Sequence, residues 1–407
     1  MWHQINSGNS SVLFRQMVFC MYIILMAVQI VSIEGFSVSP VKVLAMSISP
    51  LLILFLGYFK NVTDIIVYGI MNLLIMVACA SFASPLVAWD RIGYRAMYIL
   101  MFVCVSGIIY DGCITLSFLK HLLVVLVISY GLIFFAQHLL FLLGIRQVPI
   151  LNYYASVTIT GIFKPNGLAC EPSHAARILT VMYWGILKLT EIDQGQKLTF
   201  RDAIKELPYS SILFYFSMFA MGSATAMIGI LLILLYFFNR SVGVLLFGLI
   251  GFILMMNIEI DNSQIRRIQN VFNSFFSDDI SRTLKKSEGS GAVRIMPFIN
   301  TFKMDFFSLD TWIGQGSVSN SNTNFIDRVF SESRYIGDIT SFGLLSYIAS
   351  LIFVFKCCIK RFYSTETLLF LFLATFSVGS VYYTWLMLMI FAAIKYFENQ
   401  TLINKKN

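Results

Sequence analysis

The chain of 407 residues is 58% hydrophobic and only 12% charged, with a mean hydropathy of +0.78; a soluble domain is roughly 45–50% apolar and about 25% charged. Those figures exclude a soluble multidomain protein, a disordered chain and a disulfide scaffold, and leave an integral membrane protein. The formal charge of +8 belongs to a chain with two unequal membrane faces, and no nucleic-acid partner is expected.

In chain order, apolar runs predict spans near 16–33, 41–59, 64–84, 95–112, 121–143, 173–190, 209–222, 224–238, 241–257, 336–355, 366–379 and 381–397. A helix needs roughly 20 apolar residues to cross the hydrocarbon. The stretches Tyr209–Phe238 and Thr365–Phe397 are each either one long tilted helix or two short ones, broken at Gly222-Ser223 and around Gly379. Basic residues choose between these. With the N-terminus inside and both stretches split, the inside loops carry Arg15, Lys60, Lys120, Lys188, Lys197, Arg201, Lys205, Arg240, Lys356, Lys360, Arg361, Lys395, Lys405 and Lys406. The short outside segments carry only Lys42, Arg91, Arg95, Arg146 and Lys164, as the positive-inside rule requires.

The expected fold is therefore an all-α integral membrane protein, a single polytopic domain over 1–407 with about twelve transmembrane helices and both termini inside. The first run follows one basic residue and lacks a small-residue cleavage site, so it is expected to be a retained anchor. The cysteines show neither metal-ligand spacing nor a disulfide framework, and no metal or cofactor is expected. Two outside segments are left for chemistry: 144–172, and the long loop 258–335 between spans nine and ten.

In the first segment, Pro172 suits the first position of a helix, where a missing N–H costs nothing. The helix projects Glu171, His174 and Arg177 at three-residue steps as one stripe descending from the outer interface, and such a stripe does not face lipid. Two arrangements satisfy it. In one, Glu171 favours the helix N-terminus and Arg177 pairs with it or with a carbonyl. In the other, the stripe lines a polar cavity, where Glu171 or His174 removes a proton from a hydroxyl nucleophile.

In the long loop, apolar residues of Gln264–Phe276 recur at helical spacing with Arg266 and Arg267 between them, which predicts an amphipathic helix on the membrane surface. A second apolar stretch, Ile295–Phe307, is expected to pack back on the bilayer or bundle. Basic residues dominate 264–303 and acidic ones 304–335. A basic surface near the headgroups suits a phosphate-bearing lipid, because guanidinium forks bind phosphate oxygens. Gly289-Ser-Gly291-Ala-Val-Arg294 puts a flexible turn directly before a cation. The run Gly314–Asn324 matches no dinucleotide or P-loop fingerprint.

Several of these residues resemble a known family, the bacterial O-antigen and exopolysaccharide polymerases, relatives of the O-antigen ligases. The resemblance rests on Gly161-Ile-Phe followed by Glu171-Pro-Ser at the mouth of the sixth span, on the large late loop, and on Ser290-Gly-Ala-Val-Arg294. Trp312-Ile-Gly-Gln-Gly316, Arg334-x-x-Gly337 and Ser341-Phe-Gly343 belong to it too. Where that family often carries an arginine before the Gly-x-Phe, this chain has Ser156, Val157 and Thr158, with Lys164 or Arg146 as substitutes.

The resemblance implies glycosyl transfer on the periplasmic face of the bacterial inner membrane. Undecaprenyl-pyrophosphate-linked oligosaccharide repeat units would be donor and acceptor, and a chain-length regulator protein a partner. The implied catalytic residues are Glu171, His174 and Arg294, with Arg177, Arg266, Arg267, Arg334 and Lys164 as substrate-binding residues. An O-antigen ligase, passing the polymer to a lipid A core sugar, is the nearest alternative. It is disfavoured because 258–335 holds no histidine. A lipid-linked oligosaccharide flippase is the alternative from another class, disfavoured because no matched halves are visible.

Overall fold

The computed structural model describes residues 2–29, 39–57, 62–83, 89–145, 156–157, 163–238, 297–316, 335–379 and 381–404. Its helices are α1 Trp2–Ala27, α2 Pro40–Leu56, α3 Thr63–Phe82, α4 Trp89–Tyr110, α5 Leu116–Leu142, α6 Pro172–Gln194, α7 Phe200–Glu206, α8 Pro208–Ala220, α9 Ala224–Phe238, α10 Leu309–Ile313, α11 Ile339–Cys357, α12 Thr365–Ala374 and α13 Tyr382–Asn404. A two-residue pair, β1 Ser156–Val157 and β2 Phe163–Lys164, runs antiparallel between α5 and α6. Four helices, α3, α4, α5 and α11, are long and apolar enough to cross a membrane. The molecule is thus a helical, membrane-embedded bundle. The expected span at 241–257, the expected surface helix at 264–276 and the basic stretch around it lie outside the described residues.

Local chemistry sets the helix ends. Thr115 caps α5 by accepting from the Phe118 N–H at 3.2 Å, satisfying an otherwise orphaned donor. Thr199 and Asp202 form a reciprocal capping box on α7, and Pro172 opens α6 as its position predicts. The first helix begins earlier than its apolar run and is no longer helical after Ala27. Polar residues before Leu13 extend it without breaking it, because none is a proline and its one glycine, Gly8, is tolerated.

The centre of the bundle is α13, whose Trp385, Leu386 and Leu388 have no exposed surface. It packs against α6, α4 and α1. The Trp385 ring stacks on Tyr98 of α4 at 5.4 Å and 3°, and Trp184 of α6 meets Phe391 edge-on at 5.2 Å. Large flat side chains therefore fix how these helices meet.

Both stretches that admitted one or two helices are broken. Helices α8 and α9, of 13 and 15 residues, are each about 20 Å long, short of the roughly 30 Å hydrocarbon core. They are separated at Met221-Gly222-Ser223, and the Phe237 ring packs on Phe200 of α7 at 5.6 Å. The chain thus returns to the level at which α8 began, and the pair is a hairpin. The second break falls earlier than Gly379: α12 stops at Ala374, and Thr375 and Phe376 both take φ of 51°. A β-branched residue rarely adopts that left-handed conformation, so no local signal announces it.

Helix α11 contains a third interruption. Gly343 has φ 76° and ψ 170°, which takes the Thr340 and Ser341 carbonyls out of the helical ladder. They accept instead from Gln315 N–H at 2.9 Å and Gly316 N–H at 3.2 Å. The approach is so close that a Cβ on Gly343 would stand 2.1 Å from the Trp312 carbonyl oxygen, and one on Gly314 would stand 2.6 Å from the Gly343 nitrogen. Two of the short motifs, Trp312–Gly316 and Ser341–Gly343, therefore dock on each other. Within Ile295–Phe307, residues 297–302 are helical, and Phe302 and Phe307 are exposed.

Candidate functional site

Side-chain pairing divides the bundle into two ends. At one end Arg15 pairs with Asp111, Lys120 with Asp193 at 2.8 Å, and Glu398 with both Lys188 at 3.1 Å and Lys360 at 3.4 Å. These are residues assigned to the inside. The opposite end gathers residues assigned to the outside, and the candidate site lies there.

The segment leading into α6 is locked before the helix begins. Gly167 turns with φ +59°, and its N–H donates to Gln137 Oε1 of α5 at 3.0 Å. The Gln137 amide donates back to Asn166 Oδ1 at 3.2 Å, and Asn166 Nδ2 donates to the Ala169 carbonyl at 2.7 Å. Leu168 accepts from the Gln29 N–H at 2.8 Å, which ties this turn to the end of α1. Pro165-Asn166-Gly167 is thus a positioning turn, and it sets Cys170 and Glu171 at the head of α6.

Three elements then converge. His174 Nδ1 lies 2.9 Å from Cys170 Sγ and 3.1 Å from the Tyr382 hydroxyl, which is itself 3.4 Å from Cys170 Sγ. Lys42 of α2, 1% exposed, stands over the Tyr382 ring at 3.6 Å from its centroid and donates to Gln29 Oε1 at 2.7 Å. Arg177 lies over the Tyr383 ring at 4.5 Å and donates to the Tyr383 hydroxyl. Its Nε is buried without a hydrogen-bond partner. Among the described residues neither Lys42 nor Arg177 pairs with a carboxylate. Both cations rest on aromatic faces, which attract them but leave their charge uncompensated.

The predicted stripe is therefore real in part. His174 and Arg177 face α13, and the tyrosines of α13 occupy that face. Glu171 stays exposed at the cap of α6, where its carboxylate accepts from Ser173 Oγ at 3.3 Å, and it forms no ion pair with Arg177. Lys164 is described only through its backbone, in β2 opposite Ser156. Arg266, Arg267, Arg294 and Arg334, together with Arg146, lie outside the described residues. Burial pushes the Cys170 thiol above its usual range, so it stays protonated at neutral pH.

Beside this cluster is a second charged group. Arg95 of α4, with a side chain 4% exposed, donates to Asp338 at 2.6 Å and to Ser350 Oγ at 3.1 Å. Asn72 of α3 donates to the same Ser350 at 2.7 Å. Asp338 immediately precedes α11 and so anchors the interrupted helix to α4. Lys42, Cys170, Tyr382, Tyr383, Arg95 and Asp338 were not singled out by the sequence. The available signals were a lysine close inside α2 and a Tyr-Tyr pair opening the final span, a position where interfacial aromatics are ordinary. Neither protein-family models nor curated protein sequences give a match to this chain.

Proposed function

We propose that the protein is a membrane glycosyltransferase that polymerises undecaprenyl-pyrophosphate-linked oligosaccharide repeat units into O-antigen or exopolysaccharide, working on the periplasmic face of the bacterial inner membrane. The observation that carries this reading is the positive charge of Lys42 and Arg177, which pairs with no carboxylate among the described residues, beside a histidine and an exposed carboxylate, at the end of the bundle opposite the paired charges. A buried cation without a protein counter-ion is costly, and an anionic ligand relieves that cost. The short sequence motifs supply the choice of ligand.

In the reaction, the acceptor hydroxyl attacks the anomeric carbon of the donor sugar, and the bond from that carbon to the pyrophosphate oxygen breaks. Glu171 takes the hydroxyl proton as general base. Undecaprenyl pyrophosphate departs with the bonding electron pair, and cations preorganised near its oxygens stabilise the charge that develops. Arg177 belongs to that set in this reading, with Arg294 as the principal contact and Arg266, Arg267, Arg334 and Lys164 assisting. A chain-length regulator is the protein partner.

The test is reconstitution. Purified protein in detergent, given lipid-linked repeat units and neither nucleotide nor ion gradient, is expected to yield a ladder of longer lipid-linked glycans, and the Glu171→Gln variant is expected to lose it. Transfer to lipid A core sugar alone identifies a ligase and overturns the proposal, and so does an absence of any elongation.

A further inference from the structure

The short excursion 302–314 is held at both ends by the residues that lead into α11. On one side the Ile336 N–H donates to Thr301 Oγ1 at 3.0 Å. On the other, Gln315 and Gly316 donate to the Thr340 and Ser341 carbonyls. Helix α10, inside the excursion, packs on α11 and on α3, and both of those are long and apolar enough to span. The excursion is therefore fixed at the level where a spanning helix begins.

Its side chains divide sharply. Met304 and Thr311 are buried, whereas Phe302, Phe306, Phe307 and Leu309 point outward, Phe302 at 86% exposure and Phe307 at 101%. Four large apolar groups exposed within eight positions mark an interaction surface. The backbone beneath them is closed on itself. The Phe307 N–H donates to Asp305 Oδ1 at 2.9 Å, the Phe306 carbonyl accepts from the Trp312 indole N–H at 2.8 Å, and the Gly314 N–H donates to the Asp310 carbonyl at 2.8 Å. In water, solvent would satisfy such groups; at the edge of a bilayer they need partners within the protein.

The surface is also continuous with one already established. Met76 and Ala80 of α3, Ile92 of α4 and Phe342 of α11 pack together, which puts the end of α3 and the start of α4 beside the start of α11. Phe82 and Trp89, at those two helix ends, are exposed. Along the spanning helices, Leu74 of α3 and Ile348 of α11 are exposed as well, and in a membrane-embedded bundle such residues meet lipid. The exposed rings thus extend the lipid-facing surface to the level of the headgroups, where aromatic residues are favoured.

We propose that residues 302–309 are an interfacial anchor whose occupant is the bilayer itself. Phe302, Phe306, Phe307 and Leu309 enter the boundary between headgroups and acyl chains. The backbone stays among the headgroups, where the exposed Lys303, Asp305 and Asp310 keep access to water. Because the excursion is tied to Ile336, Thr340 and Ser341, the anchor sets the depth at which α11 begins.

The anchor is independent of the transfer reaction and is tested without substrate. Trifluoromethyl-phenylalanine is placed at position 307, and separately at 302, of the full-length protein in bilayers of phosphatidylethanolamine and phosphatidylglycerol. Fluorine NMR then compares two paramagnetic agents: a spin label carried high on a lipid acyl chain, and a water-soluble gadolinium chelate. Both rings are expected to broaden far more with the lipid-borne label than with the chelate. Equal or greater broadening by the chelate places the rings in water and overturns the proposal. Protection from both agents means that protein covers the rings, from this chain or a second copy, and overturns it too.

Discussion

The two ends of the bundle hold their charges in opposite ways. At one end Arg15, Lys120, Lys188 and Lys360 each meet a carboxylate, and Glu398 is shared between Lys188 and Lys360. At the other, Lys42 and Arg177 lie on tyrosine rings with no carboxylate among the described residues. Paired charges join helices and ask for nothing else. Charges kept on aromatic faces keep the helices together while leaving an electrostatic deficit for something else to fill. The first end is finished by folding; on the proposed reading, the second is finished by binding.

Substitutions break that comparison at three points. The largest effect is expected where the second end does contain a pair. Asp338→Ala strands Arg95, whose side chain is 4% exposed while that of Asp338 is 30% exposed. A loss of about 3 kcal/mol is expected, the low end for stranding a buried charge, because water reaches the Asp338 side. Unfolding of the detergent-solubilised protein measures it. Next comes a change of opposite sign. Lys42→Met removes a cation that pairs with no carboxylate among the described residues, and a gain of about 1 kcal/mol is expected, together with weaker binding of the proposed lipid diphosphate. If Lys42→Met instead loses as much stability as Asp338→Ala, the Lys42 cation is structural and the comparison fails. The smallest effect belongs to the first end. Glu398→Gln is expected to cost less than about 1 kcal/mol, and the difference should shrink as salt is raised, since partly exposed pairs are screened.

Much of the scaffold was written in local patterns. Helices α3, α4, α5 and α11 follow from long apolar runs, α6 from Pro172, and the α8–α9 hairpin from Gly222-Ser223 with the basic residues beyond it. The stripe of Glu171, His174 and Arg177 followed from helical spacing alone. Its partners did not, because pairings between chain segments leave no local trace. Arg177 reaches across 206 residues to Tyr383, and Arg95 across 243 to Asp338. The expectation that Arg177 pairs with Glu171 or a carbonyl was reasonable for an isolated helix, and it is displaced by a tyrosine from the last one. The break at Thr375-Phe376 was invisible for a different reason. Neither residue favours the left-handed conformation, so only the surrounding packing imposes it.

The docking of Gln315 and Gly316 on the interrupted start of α11 has one more effect. Tyr335 N–H donates to the Thr340 hydroxyl at 3.0 Å, so the chain departs at Gly316 and re-enters at Tyr335 beside the same two residues, Thr340 and Ser341. Residues 316 and 335 are therefore held at one place on the start of α11. Lengthening the chain between two points already held together adds closure entropy only logarithmically, roughly 0.6 kcal/mol per doubling. An insertion between those two points is therefore expected to leave the register of the helices beneath unchanged.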